Sequence, residues 1–187
     1  ENLTDTSTVW NHQWRAHGSQ PGYDVKQSSQ FLISKSTDDG LTWSEPRNIT
    51  RQVKKEKWWL LAPGPGRGIT MEDGTLVFPV EGRNEDGLQF STIMWSKDKG
   101  ENWTVGEPAY YNTNECQVVE LSDHSLMLNM RERSNRGRQE GNGRAIAVTA
   151  DLGKTWTEHP TSRRALIEPA CQASLLRHDY IEDGEER

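Results

Sequence analysis

One eight-residue pattern, Ser/Thr-x-Asp-x-Gly-x-x-Trp, occurs three times in the 187-residue chain. The copies occupy 36–43, 96–103 and 149–156, so their first residues are 60 and 53 positions apart. A pattern that recurs at such a period indicates an array of similar supersecondary units, none of which buries its hydrophobic face alone. The sequence therefore predicts a repeat architecture, and we call the three copies the Asp boxes.

Each Asp box follows a short β-branched or aromatic run, at 31–34, 92–95 and 145–148. Asp can accept hydrogen bonds from backbone N–H groups two residues ahead and Gly tolerates a positive φ, so each box predicts a tight hairpin turn. The Trp is expected to fold back over the strand ends and cover apolar surface. A structural role is the favoured interpretation of the box carboxylates, and a metal-binding or catalytic role is the less favoured alternative. These carboxylates are Asp38, Asp98 and Asp151.

A second repeat runs out of phase with the boxes. Residues 68–81 and 117–131 each read as strand, tight turn and strand, and 173–180 reads as the start of a third such unit. Each unit is then an inner strand, two further strands, an Asp box and a fourth strand, which is the layout of a propeller blade. The predicted class is all-β, with about three blades of four antiparallel strands. Residues 1–187 are expected to form part of one propeller domain, incomplete at both ends.

Composition narrows the range of partners. The formal net charge is −6, which argues against a nucleic-acid surface. No apolar run approaches the roughly 20 residues that span a bilayer, so membrane insertion is not expected. Most arginines of the stretch 131–144 are interpreted as a solvated loop; they are Arg133, Arg136, Arg138 and Arg144.

No metal or cofactor is expected. The two cysteines, Cys116 and Cys171, fit no metal-ligand spacing, and two buried free thiols are favoured over a disulfide. The five histidines show no ligand spacing either, so the chain carries no metal-binding motif of a familiar kind.

Blade alignment identifies two polar residues in register. When 73–81 is aligned with 123–131, Glu81 and Arg131 occupy the same position, and each follows an apolar strand. Equivalent ends of successive inner strands converge on the axis of a propeller. We therefore expect both side chains to reach one pocket.

Three features together resemble the exo-α-sialidases, or neuraminidases, of bacteria and animals, and most nearly the secreted or periplasmic bacterial type. They are the Asp boxes, the run Asn-Glu-Cys-Gln-Val-Val-Glu-Leu at 114–121, and Leu-Asn-Met-Arg at 128–131. The similarity covers essentially the whole chain. It implies a six-bladed propeller that hydrolyses terminal sialic acid, with three arginines that clamp the substrate carboxylate, a tyrosine nucleophile paired with a glutamate, and an aspartate acid/base.

The resemblance assigns roles to particular positions. Glu115 matches the glutamate that draws the proton from the tyrosine, and Arg131 matches the second arginine of the clamp. Glu81 is expected to contact the substrate near the glycerol tail of the sugar, with Arg83 and Gln172 as weaker candidates. The remaining groups, including the nucleophilic tyrosine, are expected outside 1–187, because no Phe/Tyr-Arg-Ile-Pro motif is present and Tyr180 comes too early in the blade order.

Elementary chemistry agrees with these roles. Sialic acid carries a carboxylate on its anomeric carbon, and the planar fork of an Arg pairs with a carboxylate through two hydrogen bonds. A carboxylate nucleophile would be repelled by that group, whereas a neutral phenol is not. Because the ordinary pKa of a phenol is about 10, a neighbouring carboxylate is needed to activate it.

Two alternatives stay open at this point. One is a non-catalytic Asp-box propeller that acts as a carbohydrate-binding or scaffold module. The other is a different Asp-box glycosidase that acts on neutral glucans with a pair of carboxylates and no arginine clamp. For the favoured reading the expected partners are sialylated glycans and the remaining blades of the propeller, and the expected location is secreted or periplasmic.

Overall fold

A computed structural model describes residues 18–168 and 170–182, together with the backbone of 185 and 186. Strands dominate this part of the chain. Its helices are α1 (Thr50–Val53) and a single 3-10 turn (Arg133–Asn135). None of the described helices has the length and apolar character required to cross a membrane.

Five strands have five to eight residues, and the others have two to four. In chain order they are β1 (Leu32–Ile33), β2 (Arg47–Asn48), β3 (Leu60–Pro63), β4 (Ile69–Thr70), β5 (Leu76–Arg83), β6 (Gln89–Ser96), β7 (Thr104–Val105), β8 (Tyr110–Tyr111), β9 (Thr113–Glu120), β10 (Leu126–Glu132), β11 (Ala145–Thr149), β12 (Thr157–Glu158), β13 (Ile181–Glu182) and β14 (Glu185–Glu186).

Two antiparallel sheets form the body of the described chain. The second of them runs β9-β10-β11-β12, with each strand beside its neighbour in sequence. The first has the same four positions, but its inner strand is split into β3 and β4, which both pair with β5, and its outer strand into β7 and β8, which both pair with β6. This up-and-down order is that of propeller blades.

The flanking pairs are two-stranded. β1 pairs with β2 on either side of the first Asp box, so they correspond to the third and fourth strands of a preceding blade. β13 pairs with β14. The prediction of an all-β fold with four-stranded antiparallel sheets is confirmed, whereas the total of six blades stays a prediction. The predicted strand at 173–180 is wrong, because no strand lies there and β13 begins only at Ile181.

Two hydrophobic clusters hold the sheets together. One joins the two blade sheets and includes Val77, Ile93, Val118 and Leu128, all at most 3% exposed. The other packs the first sheet against α1 and the β1–β2 hairpin. Each sheet thus buries its faces against the neighbouring sheet, as the repeat interpretation requires.

The Asp boxes act as structural turns, as predicted. In the second box Asp98 Oδ1 accepts from the N–H of Asn102 at 2.8 Å, and Ser96 Oγ accepts from the N–H of Gly100 at 2.9 Å. The other two boxes repeat both bonds. The bonds from Asn102 lower the pKa of Asp98 to about 2. The bonded N–H lies four residues after the Asp and not two, because two successive positive-φ residues, Lys99 and Gly100, wind the turn more tightly.

The box tryptophans are not equivalent. Trp103 is 4% exposed, and its indole N–H donates to Gly100 O at 3.0 Å, so it covers the strand ends as expected. Trp43 makes the corresponding bond to Gly40 but stays 63% exposed. The expectation that every box Trp is covered is therefore wrong for the first box.

The sheets have two distinct ends. Leu76 is opposite Ser96 and Leu126 is opposite Thr149, so the tight turns before β5 and β10 lie at the same end as the Asp boxes. We call this the box face. Glu81 and Arg131 are each the sixth residue of their strands, which places them about 17 Å away, near the opposite end. We call that end the site face.

Candidate functional site

A β-bulge shapes the backbone at Glu115. Between β9 and β10, Gln117 is opposite Asn129 and Asn114 is opposite Arg131, so Glu115 and Cys116 together face a single residue of β10. Glu115 has φ of 42°, an unusual value for a residue with a Cβ. Bulges turn side chains out of the regular alternation of a strand, and they are enriched next to active sites. The bulge therefore determines where the Glu115 side chain points.

Charged groups hold the Glu115 peptide on both sides. The N–H of Glu115 donates a short hydrogen bond to Glu81 Oε2, which reaches across from the first blade sheet. On the other side Arg144 Nη2 donates to the carbonyl oxygen of Glu115 at 3.4 Å. Backbone in a sparsely populated region costs about 1–3 kcal/mol and persists where surrounding contacts over-determine it. These two contacts supply that constraint.

The Glu115 carboxylate and the Arg131 guanidinium form an ion pair. Arg131 Nη1 lies 2.8 Å from Glu115 Oε1, and the two side chains retain 22% and 29% of their exposure. Arg131 Nε is buried without a hydrogen-bond partner among the described residues, as is Asn114 Oδ1. Unsatisfied buried polar atoms are rare and call for an explanation. Here both atoms lie beside the partly open Glu115–Arg131 ion pair, and the Arg131 guanidinium still has N–H groups that could bind a ligand.

The structure therefore brings together the three residues that the sequence singled out. Glu81 touches the Glu115 backbone, and Glu115 pairs with Arg131. Their catalytic and binding roles stay predictions. No tyrosine of the described chain hydrogen-bonds to Glu115; Tyr180 is 48% exposed and stacks on His178. Gln172 is exposed.

Glu81 is buried, with 6% exposure. Burial raises its pKa to about 7; the hydrogen bond from Glu115 N–H opposes the shift, the negative charge of Glu115 adds to it, and the charge of Arg131 opposes it. At neutral pH this carboxyl is thus divided between its two protonation states. Either state offers an oxygen to the Glu115 N–H.

The raised pKa makes a prediction about stability. Below pH 4.5, the ordinary pKa of a glutamate, the folded and unfolded chains both hold the proton, so Glu81 does not lower the free energy of unfolding. Between pH 4.5 and about pH 7 the folded state keeps a proton that the unfolded state has lost, so the free energy of unfolding falls as the pH rises. Above pH 7 the full loss, about 3 kcal/mol, applies. We expect Glu81→Gln, which keeps an acceptor for Glu115 N–H, to become more stable relative to wild type by about this amount between pH 4.5 and 8.

Urea unfolding of the complete protein at several pH values measures this difference. Glu45→Gln is the matched control, because Glu45 is exposed and should show no such trend. A stability difference between wild type and Glu81→Gln that does not change with pH would contradict the assignment.

Arg144 is a correction to the sequence analysis. It was expected at the surface, but it is 4% exposed and its Nη1 lies 3.0 Å from Glu168 Oε2. It also donates to Asn129 Oδ1 and, at 2.9 Å, to the carbonyl oxygen of Cys171. Burial lowers the pKa of Arg144 and raises that of Glu168, while each partner opposes the shift of the other.

Glu168 extends this network to the strand that carries Arg131. Its Oε1 accepts from Glu132 N–H at 3.0 Å and from Asn135 Nδ2 at 3.2 Å. A single buried carboxylate therefore ties β10, the 3-10 turn and Arg144 together. Nothing in the local sequence indicates this, because a lone Glu after Leu-Ile has no distinctive spacing.

The cysteines are free, as predicted, but only one of them is buried. Cys116 is fully buried below the bulge, and burial raises the pKa of its thiol to about 12. Cys171 is exposed, so the prediction of two buried thiols is wrong for it. Cys171 lies in a segment without strand structure, where no sheet covers it.

A cleft of about 700 Å³ lies on the box face, far from Glu115. Turn and box residues of both blade sheets line it, including Trp95, Glu120, His124 and Asp151. Residues 18–168 and 170–182 contain no group of three or more His, Cys, Asp or Glu side chains placed to hold a metal ion. The cleft is thus a groove between neighbouring sheets, separate from the Glu115 site.

Comparisons with known proteins agree with the fold. The model of the BNR repeat-like domain family matches residues 6–187. A sialidase of Bacteroides fragilis (strain YCH46) is 50% identical over 182 residues, covering 92% of this chain and 32% of the relative. A sialidase of Clostridium perfringens is 34% identical over 180 residues, covering 88% of this chain and 45% of the relative.

Solved structures show the same similarity. The Hadza microbial sialidase Hz136 superposes with a TM-score of 0.80 at 46% identity, over 86% of this chain and 30% of that one. A Trypanosoma rangeli sialidase solved in complex with sialic acid has a TM-score of 0.63 at 25% identity, over 84% of this chain and 26% of that one.

Four-stranded antiparallel sheets, with an Asp box between the third and fourth strands and a polar cluster at the opposite ends of the strands, define a propeller-type protein of the BNR class. The chain belongs to the BNR repeat-like domain family, and the relatives and solved structures described above, to which it is similar, are sialidases. It spans about a third of the length of the Bacteroides relative and of the Hadza structure.

Proposed function

We propose that the protein containing this chain is an exo-α-sialidase that removes terminal sialic acid from glycoconjugates with retention of anomeric configuration. The observation that carries the proposal is the Glu115–Arg131 ion pair at 2.8 Å, which lies partly open on the site face beside buried Glu81. A cationic fork and a carboxylate at one point are the two groups that a carboxylated sugar and a phenol nucleophile require.

Arg131 binds the carboxylate of the substrate. Glu115 engages one of its guanidinium nitrogens, and a guanidinium has five N–H donors, so Arg131 can serve Glu115 and a ligand at once. The arrangement also holds the Arg131 side chain before substrate arrives, which reduces the entropy that binding costs. The substrate carboxylate is then fixed by charge-assisted hydrogen bonds.

Glu115 accepts the proton of a tyrosine hydroxyl that comes from outside the described chain. The phenolate oxygen attacks the anomeric carbon, the glycosidic oxygen leaves with a proton from an acid elsewhere in the ring, and water later releases the sugar. Sialidases are the glycosidases in which tyrosine is the nucleophile. Two displacements at one carbon restore its original configuration.

The substrate fixes the expected place of action. Terminal sialic acids are displayed on glycans outside the cytoplasm, so we place the protein in the secreted or periplasmic compartment. Its partners are sialylated glycans and the further blades that complete the ring around Glu115.

A non-catalytic binding module would have little use for a glutamate whose own backbone has a positive φ and is held there by charged side chains on two sides.

The proposal is tested with the complete protein and 3′-sialyllactose, and ¹H NMR follows the first product. We expect release of sialic acid as its α-anomer, before mutarotation to the β-anomer. An initial β-anomer would contradict retention, and the absence of any release would contradict the activity. A neutral β-glucan is the control substrate and should stay intact; cleavage of the glucan instead would favour the neutral-glucan glycosidase.

A further inference from the structure

The loop between β10 and β11 carries exposed arginines beside the Glu115 site. It begins directly after Arg131 and Glu132, at the site-face end of β10. Arg133, Arg136 and Arg138 are exposed, and none of them forms an ion pair within the described residues. The loop therefore places three unneutralised positive charges at the edge of the site, although the chain as a whole carries a net charge of −6.

This loop is anchored at its base. Asn135, 3% exposed, donates from Nδ2 to the carbonyl oxygen of Gly143 at 2.9 Å and to Glu168 at 3.2 Å. Its own carbonyl oxygen accepts from Arg138 N–H at 2.9 Å. The arginines on either side of Asn135 are thus presented from a fixed turn, which lowers the ordering cost of binding through them.

Exposed aromatic and apolar groups adjoin the first of these arginines. Arg133 N–H donates to Asn112 O at 3.0 Å, and Asn112 N–H donates to Gln89 O at 2.7 Å. These bonds bring the loop next to Tyr111 and Leu88, which are 51% and 52% exposed. Tyrosine rings beside hydrogen-bonding groups are suited to cover a sugar face while keeping a polar edge.

A further guanidinium, that of Arg83 in β5, lies near Arg133. Arg83 stacks on Trp59 at 5.0 Å and donates from Nε to Gly87 O at 2.9 Å. Burial lowers the pKa of Arg83, and the positive charge of Arg133 lowers it further, so these two like charges repel one another.

Carboxylates of the described chain do not neutralise the three loop arginines. Glu132 is 4% exposed and pairs with Arg163 at 3.1 Å, and Glu85 pairs with Lys57 at 2.5 Å. Glu140 lies in the loop itself and is exposed. Arg133, Arg136 and Arg138 therefore still outnumber Glu140 within the loop, which keeps a positive excess.

We propose that Arg83, Leu88, Tyr111, Arg133, Arg136 and Arg138 form a binding surface, the arginine rim, for a second anionic group on the same glycan. The group is a sulfate ester or a further sugar carboxylate next to the sialic acid bound at Glu115 and Arg131. This inference rests on the proposed sialidase function and extends it to the class of glycan preferred.

The chemistry of arginine matches such a ligand. Its planar fork pairs with carboxylate or sulfate oxygens, and it gives up water more readily than an ammonium group does. On an acidic chain, a local positive surface next to the site also raises the encounter rate of polyanionic substrates. Both effects weaken as salt is added.

The test compares kcat/KM of the complete protein for three substrates: 3′-sialyllactose, the same trisaccharide with a sulfate ester on its galactose, and a disialyl-lactose. We expect wild type to favour one or both anionic forms over the first by about five- to tenfold at low salt, since two or three partly exposed pairs contribute. The combined variant Arg133→Gln, Arg136→Gln, Arg138→Gln should reduce this ratio to about one, as should added salt.

The matched control removes the same charge from the opposite face, with Lys97→Gln, Lys99→Gln and Lys154→Gln in the second and third Asp boxes. It should keep the substrate preference of wild type. Equal loss in this control would show a general effect of net charge, and an undiminished preference in the arginine variant would show that the rim binds nothing; either result overturns the proposal.

A preference for the sulfated substrate alone identifies a sulfate ester as the group bound, and a preference for the disialyl substrate alone identifies a second carboxylate; both support the rim. If no substrate is hydrolysed, the sialidase function fails, and calorimetric binding of the same three glycans then tests the rim alone. Equal affinity of wild type for all three glycans would overturn it.

Discussion

Glu115→Gln should lower kcat for 3′-sialyllactose by about 10²–10⁴-fold, the usual contribution of a general base. The side-chain amide of glutamine has the size of the carboxylate, but it cannot take a proton from a phenol. The backbone N–H of residue 115 still donates to Glu81. KM should change much less, because Arg131 retains its charge for the substrate carboxylate. Steady-state kinetics of the complete protein measures both constants.

Two controls separate chemistry from folding. The Glu115–Arg131 pair is partly exposed, so its loss should cost no more than about 1 kcal/mol, and the unfolding midpoint should stay close to that of wild type. Glu72→Gln, at an exposed glutamate on the box face, should keep kcat within about twofold. Near-normal turnover of Glu115→Gln would remove Glu115 from the mechanism.

Arg144→Ala is the second large effect, and it acts on both stability and turnover. The ion pair with Glu168 is buried, with side-chain exposures of 5% and 1%, so removal of the arginine leaves an uncompensated carboxylate in the interior. Loss of one partner of such a pair costs about 3–5 kcal/mol. Because Arg144 also holds the carbonyl oxygen of Glu115, we expect kcat to fall as well.

A double variant distinguishes these two consequences. Arg144→Met combined with Glu168→Leu replaces the buried pair with apolar side chains of similar size, which often restores stability. It should recover part of the unfolding midpoint that Arg144→Ala loses, although Glu132 N–H and Asn135 Nδ2 lose their acceptor. It should keep a low kcat, since the Arg144 donor to the carbonyl oxygen of Glu115 is gone. Arg164→Ala, at an exposed arginine nearby, serves as the control for charge and should resemble wild type. Full recovery of kcat in the double variant would show that Arg144 matters for folding alone.

Local periodic signals account for what the sequence predicted correctly. The Asp boxes and the strand-turn-strand units depend on contacts within a few residues, so they specify β5, β6, β9, β10 and β11 and place Glu81 and Arg131 in register. The short run at 114–121 singled out Glu115 through its resemblance to sialidases. The geometry of its backbone could not be predicted, because the bulge depends on pairing between β9 and β10.

Long-range contacts account for what the sequence missed. Arg144 resembled its exposed neighbours, and only the fold shows that Glu168, 24 residues later, meets it in the interior. The strand expected at 173–180 failed for a related reason. A strand needs a partner, and those residues have none among the described strands, whereas β13 pairs with β14.

The separation of the two faces has a practical consequence for attaching this protein to a solid support. Lys154 lies in the third Asp box, exposed and about a strand length from Glu115, and the thiol of Cys116 is buried. With Cys171→Ser and Lys154→Cys, the described chain would offer one accessible thiol, on the box face. Coupling through it would orient every molecule alike on a sensor chip, with the Glu115–Arg131 pair facing the flowing glycan.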